Sequence, residues 1–179
     1  MKKNIRLLVL SFTAVLIFGI SAAGAQELSV GYQGLIGSGN NMLSGVSVRT
    51  WMDKLGFEGT LFTGTLTAES GGSEMDADLW LLDGQAMYAL VEKDHSKFYV
   101  GGELGFGKYD LEELGYGDGD FAMLSPLMGA EYNFQELPEL GFNWEVAYAM
   151  IFAEHEQSNA DIDLYMSGIN VTLGVHYKF

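Results

Sequence analysis

Beyond residue 26 the chain alternates apolar and polar side chains with a period of two in eight successive segments. In the last segment apolar residues occupy every second position from Ile169 to Phe179. Successive side chains of a β-strand point to opposite faces, so this period predicts strands with one apolar and one polar face. Polar or glycine-rich gaps between the segments predict turns and loops. The predicted strands span residues 27–36, 42–52, 57–67, 80–90, 98–107, 121–134, 142–152 and 169–179.

A water-soluble β-sandwich would also alternate, but two features of the segments favour a closed barrel in a membrane. Many apolar faces run over five or six alternate positions, which suits the ~9–11 residues of a strand that crosses a bilayer. The number of segments is even, as in single-chain bacterial barrels. We therefore predict an all-β fold, an eight-stranded antiparallel up-and-down transmembrane β-barrel. Its first, third, fifth and seventh connections are expected to face the outside.

The aromatic residues give a third argument, because they sort toward the two ends of the predicted strands. Aromatic girdles flanking an apolar band are expected where rings sit at both membrane interfaces. One predicted girdle comprises Tyr88, Phe98, Tyr132, Phe134, Phe142, Trp144, Tyr177 and Phe179. The other comprises Trp80, Phe106, Tyr109, Phe121, Phe152 and Tyr165.

The N-terminal segment predicts the compartment. Basic residues among the first six positions precede an apolar run, 7–20, and small residues that end in an A-x-A site before Gln26. This arrangement is typical of a secretory signal peptide, and the run is shorter than the ~20 apolar residues of a spanning helix. We expect a signal peptide, 1–25, that is cleaved, and an outer-membrane β-barrel domain, 26–179. The protein would reach the outer membrane through the periplasm.

The mature chain is strongly acidic and contains no cysteine. The formal net charge is −15, and the predicted signal peptide carries three basic and no acidic residues, so the mature chain has −18. Such a charge argues against nucleic acid as a partner, since phosphates would be repelled, and it suits divalent cations or basic partners. The lack of cysteine excludes disulfides and thiol chemistry.

The C-terminal strand carries a recognisable signal. The chain ends in the aromatic Phe179, with Tyr177 two residues before it. This ending resembles the C-terminal strand of bacterial outer-membrane proteins, in which the strand is the signal read by the barrel-assembly machinery. The resemblance implies that role for Leu173, Val175, Tyr177 and Phe179.

A second resemblance concerns the region of the second and third strands. The stretches Val48-Arg49-Thr50-Trp51 and Leu55-Gly56-Phe57-Glu58-Gly59 resemble the second hairpin of the small OmpA/OmpX-like outer membrane protein beta-barrel family. The resemblance implies the fold, and outer-membrane lipids and lipopolysaccharide as surroundings, but it does not identify a ligand.

An eight-stranded barrel is just wide enough for its inward side chains to fill. The expected register places Glu58 one diagonal step from Arg49, within reach of the long side chain. A symmetric turn after Phe134 would place Glu131 directly opposite Glu145. A static plug of ion pairs and a gated or proton-linked pore are both compatible with this pattern. The inward polar residues are Asp83, Gln85, His176 and a predicted polar network of Arg49, Glu58, Glu103, Glu131, Glu145 and Lys178.

The predicted outer loops are acidic, and a further loop is expected at 68–76. The stretch Gly117-Asp118-Gly119-Asp120 lacks the spacing of a calcium-binding EF-hand loop. We expect solvated loops, and such acidic loops could share divalent cations with lipopolysaccharide phosphates. The acidic residues are Asp110, Glu112, Glu113, Asp118 and Asp120 in one loop and Glu154, Glu156, Asp161 and Asp163 in another.

His155 and Ser158 faintly resemble the His-x-Ser-Asn motif of outer-membrane lipid A deacylases. In that family the serine follows the histidine by two residues, whereas here the interval is three, which in a strand sends the side chains to opposite faces. Asn170 stands where the family has a glutamate. Three scattered histidines indicate no metal site, and no cofactor is expected.

We therefore expect no catalysis, and a structural, envelope-integrity or surface-interaction role with an unknown surface ligand. The alternatives are a lipid A-modifying hydrolase using His155 and Ser158, or a narrow channel for small solutes.

Overall fold

The computed structural model describes residues 27–37, 42–70, 73–110, 118–157 and 160–179, and the predicted signal peptide lies outside them. All regular elements in the described part of the chain are β-strands. No helix there is long and apolar enough to cross a membrane. The strands are β1 (Glu27–Ile36), β2 (Met42–Met52), β3 (Leu55–Ser70), β4 (Ser73–Lys93), β5 (Ser96–Asp110), β6 (Asp118–Asn133), β7 (Leu140–Gln157) and β8 (Ala160–Lys178).

The eight strands form one closed barrel. Each strand pairs antiparallel with its neighbours in sequence order, and β1 closes the sheet against β8. The closing pair runs from Ser29 opposite Lys178 to Ile36 opposite Val171. Closure removes the unpaired edges that an open sheet would expose. The predicted eight-stranded up-and-down barrel is confirmed.

Several hairpins are longer than predicted. β4 has 21 residues, about twice the ~9–11 that cross a bilayer. β3 and β4 stay paired up to Ser70 opposite Ser73, so the predicted loop at 68–76 is wrong. β7 and β8 likewise stay paired up to Gln157 opposite Ala160. The apolar alternation ends at the edge of the apolar band, whereas backbone pairing continues beyond it because a hairpin needs no lipid-facing side chains.

The turn between β2 and β3 corrects the predicted register. It consists of Asp53 and Lys54, and Asp53 has a φ of 56°, in the left-handed region that two-residue hairpin turns require. Met52 therefore pairs with Leu55. This tight turn places Glu58 directly opposite Arg49, not one diagonal step away.

The connection between β6 and β7 is asymmetric, and the predicted facing of two glutamates is wrong. β6 ends at Asn133, and the backbone N–H of Phe134 donates to Leu140 O at 3.2 Å. As a result Glu131 pairs with Asn143, and Glu145 pairs with Gly129.

The exterior of the barrel is apolar. All eight residues of the first predicted girdle are exposed, and they lie near the rim that carries the termini and the short turns. In the second girdle Trp80, Phe152 and Tyr165 are exposed. Tyr109 and Phe121 instead point into the lumen, because they share a strand face with buried residues on β5 and β6. Their place in the girdle was wrong.

Candidate functional site in the barrel lumen

The lumen is organised around the guanidinium group of Arg49, which β2 points inward and which is 1% exposed. Its Nε donates to Glu58 Oε2 at 2.7 Å. Its Nη2 donates to Glu145 Oε1 at 2.6 Å, and its Nη1 donates to Glu131 Oε2 at 3.2 Å. One cation thus bridges carboxylates from β3, β6 and β7. Charge-assisted bonds of this kind are the stronger hydrogen bonds in proteins, and guanidinium geometry suits them.

Tyr99, which β5 points inward, completes this cluster. Its hydroxyl donates to Glu145 Oε1 at 2.7 Å and accepts from Arg49 Nη1 at 3.2 Å. The guanidinium carbon also lies 5.6 Å from the centre of the Tyr99 ring. An inward tyrosine between apolar neighbours carries no sequence signal for this role, because its partners come from distant strands.

A second part of the network closes the rim that carries the termini. Lys178 Nζ lies 3.1 Å from Glu131 Oε1 and 3.3 Å from Glu27 Oε2. Lys97 Nζ lies 3.0 Å from the same Glu27 oxygen and 4.7 Å from the centre of the Trp51 ring. Trp51 Nε1 donates to Glu131 Oε2 at 3.2 Å. Charged groups from both ends of the chain therefore converge at this mouth of the barrel.

His176 joins the other side of Glu58. Its Nε2 lies 3.0 Å from Glu58 Oε1 and 2.9 Å from Ser47 Oγ. Gln33 Nε2 donates to the same Glu58 oxygen. Glu58 is thus held by Arg49 on one oxygen and contacted by Gln33 and His176 on the other.

Glu103 lies on β5, directly opposite Gln85 of β4. Among the described contacts it does not reach Arg49, and Gln85 Nε2 donates to Glu103 Oε2 at 3.4 Å and to Glu145 Oε2 at 3.1 Å. Asp83, on the same strand as Gln85, is 2% exposed. Gln85 therefore links Glu103 to the Arg49-centred group, while no described cation forms an ion pair with Glu103 or Asp83.

Apolar side chains fill the lumen on both sides of the polar groups. An eight-stranded barrel is just wide enough for such side chains to fill its interior. One cluster of buried residues consists of Leu35, Leu43, Phe62, Leu81, Met123 and Ala149, with Leu79, Phe121 and Ile151 packed against it. The other consists of Trp51, Met87, Ala89, Tyr99, Leu127 and Ala147.

The alternative of a lipid A hydrolase using His155 and Ser158 gains no support from the described part of the chain. Ser158 lies outside the described residues, and the backbone of His155 pairs with Ile162 on β8. Asn170 is eight positions farther along β8, opposite Ala147, which is a distance of about 27 Å at ~3.4 Å per residue. No group of three or more His, Asp or Glu side chains among the described residues is arranged to hold a metal ion.

Comparison with known proteins identifies the architecture. No family model and no curated protein matches the chain. Among solved structures, the outer membrane protein OprG of Pseudomonas aeruginosa is similar with a TM-score of 0.61 at 14% identity, over 87% of this chain and 96% of OprG. Outer membrane protein H (OprH) of P. aeruginosa gives 0.54 at 16% identity over 86% and 99% of the two chains. Neisserial surface protein A gives 0.53 at 17% identity over 86% and 95%.

These likenesses extend over nearly the whole barrel, while identities of this size establish the fold and nothing finer. They agree with the closed antiparallel sheet described above. The chain has the fold of the small eight-stranded outer-membrane β-barrel proteins, as its resemblance to the OmpA/OmpX-like barrels implied.

Proposed function

We propose that the protein is an integral outer-membrane barrel with a structural, envelope-integrity or surface-interaction role, and that it has no catalytic activity. The observation that carries this proposal is the filled lumen. Arg49 is bonded to carboxylates from three strands, and a layer of apolar side chains around Phe62 and Leu81 occupies the adjacent section. We expect a barrel filled in this way to offer no continuous path for ions and to act through its outer surface and its projecting hairpins.

The surroundings of the protein follow from its exterior. The exposed apolar side chains would contact the outer-membrane lipids and lipopolysaccharide, and the exposed aromatic residues of the two girdles would sit at the interfaces. The signal peptide 1–25 would direct the chain to the periplasm, where the barrel-assembly machinery would act on β8. The similarity to outer-membrane barrels supports this location.

The long hairpins are proposed to face the outside. Bacterial outer-membrane barrels have short periplasmic turns and longer extracellular loops, which places the termini and the turns at 53–54 and 94–95 in the periplasm. The opposite ends, residues 69–78, 110–120 and 154–163, contain 13 of the 24 acidic residues and no lysine or arginine. Such ends would share divalent cations with the phosphates of lipopolysaccharide and thereby tie the protein to its lipid neighbours.

A gene deletion tests the envelope role. We expect a strain that lacks the protein to become more sensitive to detergent and chelator, and expression of the wild-type chain to restore resistance. A variant with the acidic residues of 154–163 changed to their amides should restore resistance less well, because fewer cations would be shared. Unchanged sensitivity in the deletion strain would contradict an envelope role.

A conductance measurement tests the closed lumen. In a planar bilayer the folded protein should show no large, steady ionic current. The control is an open barrel reconstituted from the same detergent, which shows that insertion takes place. A steady current from the wild-type protein would support the narrow channel instead.

A further inference from the structure

The inner wall formed by β3–β6 contains a compact group of buried oxygen atoms. Thr60 is directly opposite Asp83, and Gln85 is directly opposite Glu103, which is in turn opposite Ser125. All five side chains are 5% exposed or less, so they point into the lumen. Directly opposite and diagonal positions on paired strands are near enough for side chains to interact. We call these five residues the acceptor patch.

The acceptor patch contains oxygens with no hydrogen-bond partner among the described residues. No side chain donates to Asp83 or to Glu103 Oε1 with normal hydrogen-bond geometry, although Gln85 is near Asp83, and Ser125 and Asn170 are near Glu103. Gln85 uses its amide nitrogen for Glu103 and Glu145, while its Oε1 has no partner. The hydroxyl oxygens of Thr60 and Ser125 also have no partner with normal hydrogen-bond geometry. Buried polar atoms are nearly always paired, so a concentration of this kind calls for a physical cause.

The basic groups of the lumen are engaged elsewhere. Arg49 is bonded to Glu58, Glu131 and Glu145, and Lys178 lies against Glu131 and Glu27. No described lysine, arginine or histidine forms an ion pair with Asp83 or Glu103. Two carboxyl groups are thus buried at diagonal positions of β4 and β5 without a positive partner. Burial of an uncompensated carboxylate costs free energy.

We propose that the acceptor patch binds one hard divalent cation, which the carboxylates of Asp83 and Glu103 and the amide oxygen of Gln85 coordinate. The charge of such a cation is equal in magnitude and opposite in sign to that of the two carboxylates. A ligand set made of oxygen atoms suits calcium or magnesium and does not suit the softer metals that prefer nitrogen or sulfur. The hydroxyls of Thr60 and Ser125 complete the set from the two flanking strands.

Calcium fits this wall better than magnesium. Calcium accepts six to eight oxygens in flexible geometry at ~2.3–2.6 Å, whereas magnesium requires a near-ideal octahedron at ~2.0–2.1 Å and keeps several waters. Here the ligands project from paired strands whose spacing is fixed by the sheet at ~4.7–4.9 Å. The larger and less demanding ion therefore matches the patch.

Metal analysis of the folded barrel tests the proposal. The chain without residues 1–25 is unfolded in urea with chelator, folded into lipopolysaccharide-free detergent micelles with calcium or with magnesium, and separated from free ions. We expect one equivalent of retained calcium, less magnesium, and none in the variant Asp83→Asn/Glu103→Gln. The variant Glu112→Gln/Glu113→Gln, which removes the same charge from the acidic segment 110–120, should retain calcium as the wild type does.

Two outcomes would overturn the cation site. One is a wild-type barrel without retained calcium, which would mean that protons neutralise the two carboxyl groups. The other is equal retention in Asp83→Asn/Glu103→Gln, which would mean that calcium binds adventitiously at the acidic ends. If that variant does not fold, the thermal midpoint of the wild-type barrel decides the question. It should be higher with calcium than with chelator, and equal midpoints would contradict the proposal.

Discussion

Arg49 and Glu58 lie directly opposite each other on β2 and β3, and their side chains are 1% and 0% exposed. Only nine residues separate them in sequence, so this ion pair belongs to a single hairpin. The other carboxylates on Arg49, those of Glu131 and Glu145, come from β6 and β7 and reach it only in the closed barrel. Of the three carboxylates bonded to Arg49, only that of Glu58 therefore belongs to the same hairpin.

We predict that Arg49→Met strongly destabilises the barrel. The substitution keeps an unbranched side chain but leaves the buried carboxylates of Glu58, Glu131 and Glu145 without their guanidinium partner. Breaking a buried pair from one side costs about 3–5 kcal/mol. Urea unfolding in detergent micelles measures the change.

The control for this prediction is Lys108→Met. Lys108 lies 3.4 Å from Asp120, but the two side chains are 42% and 58% exposed. Loss of such a surface pair should change the free energy of unfolding by at most about 1 kcal/mol. Equal losses in the two variants would contradict the central position of Arg49 in the lumen.

Two neighbouring glycines of β5 should respond differently to alanine. A Cβ on Gly101 would overlap the carbonyl oxygen of Ala86 and lie 3.1 Å from Met87 Cα, whereas a Cβ on Gly102 would lie 3.7 Å from Ser125 O. Overpacking against backbone costs about 1–3 kcal/mol. We expect Gly101→Ala to lower the midpoint of thermal unfolding and Gly102→Ala to change it little. The reverse order would argue against the described register of β4 and β5.

Phe179→Asp should impair assembly in cells and leave folding in detergent almost unchanged. The side chain is 81% exposed, so it contributes little to packing, while its backbone N–H donates to Leu28 O at 2.9 Å. The matched control is Phe134→Asp, an exposed aromatic near the same rim. The amount of heat-modifiable protein in outer-membrane fractions is the measurement. Equal losses in the two variants would indicate a general intolerance of charge at this rim instead of an assembly signal.

We expect Ser158→Ala and His155→Ala to leave lipid A unchanged. A serine nucleophile needs a base within hydrogen-bond reach and a third group that orients the base. Asn170 lacks a carboxylate and lies eight positions along β8 from the partner of His155. Mass spectrometry of lipid A from cells that express each variant tests this prediction. Disappearance of a deacylated species in both variants would establish the hydrolase.

The inward or outward direction of most side chains was predictable from the sequence, whereas their partners were not. The period of two assigns each residue to a face, and a shift of register by two residues preserves that face. Arg49 and Glu58 were therefore correctly predicted to face inward, although the predicted register was wrong. The register depends on the turn, and the positive φ of Asp53 cannot be recognised from the hydropathy pattern.

Contacts across the lumen were still less predictable. The bonds from Arg49 to Glu131 and Glu145 span 82 and 96 residues of sequence, and they depend on the stagger of the strands around the barrel. The hydrogen bonds of Tyr99 and Gln33 to this network span 50 and 25 residues of sequence, and the alternation does not predict them either. Tyr109 and Phe121 were wrongly predicted to lie in the girdle. Each is near the end of its strand, but on the inward face.

The pairing of β1 with β8 determines the order of events in insertion. Eight residue pairs join the two strands, so the last strand of the barrel lies against its first. Until the final strand is in place, the growing sheet has two open edges whose N–H and C=O groups lipid cannot satisfy. We therefore expect that the chain does not enter the hydrocarbon strand by strand. Closure of β1 against β8 and passage across the bilayer would then be one concerted step.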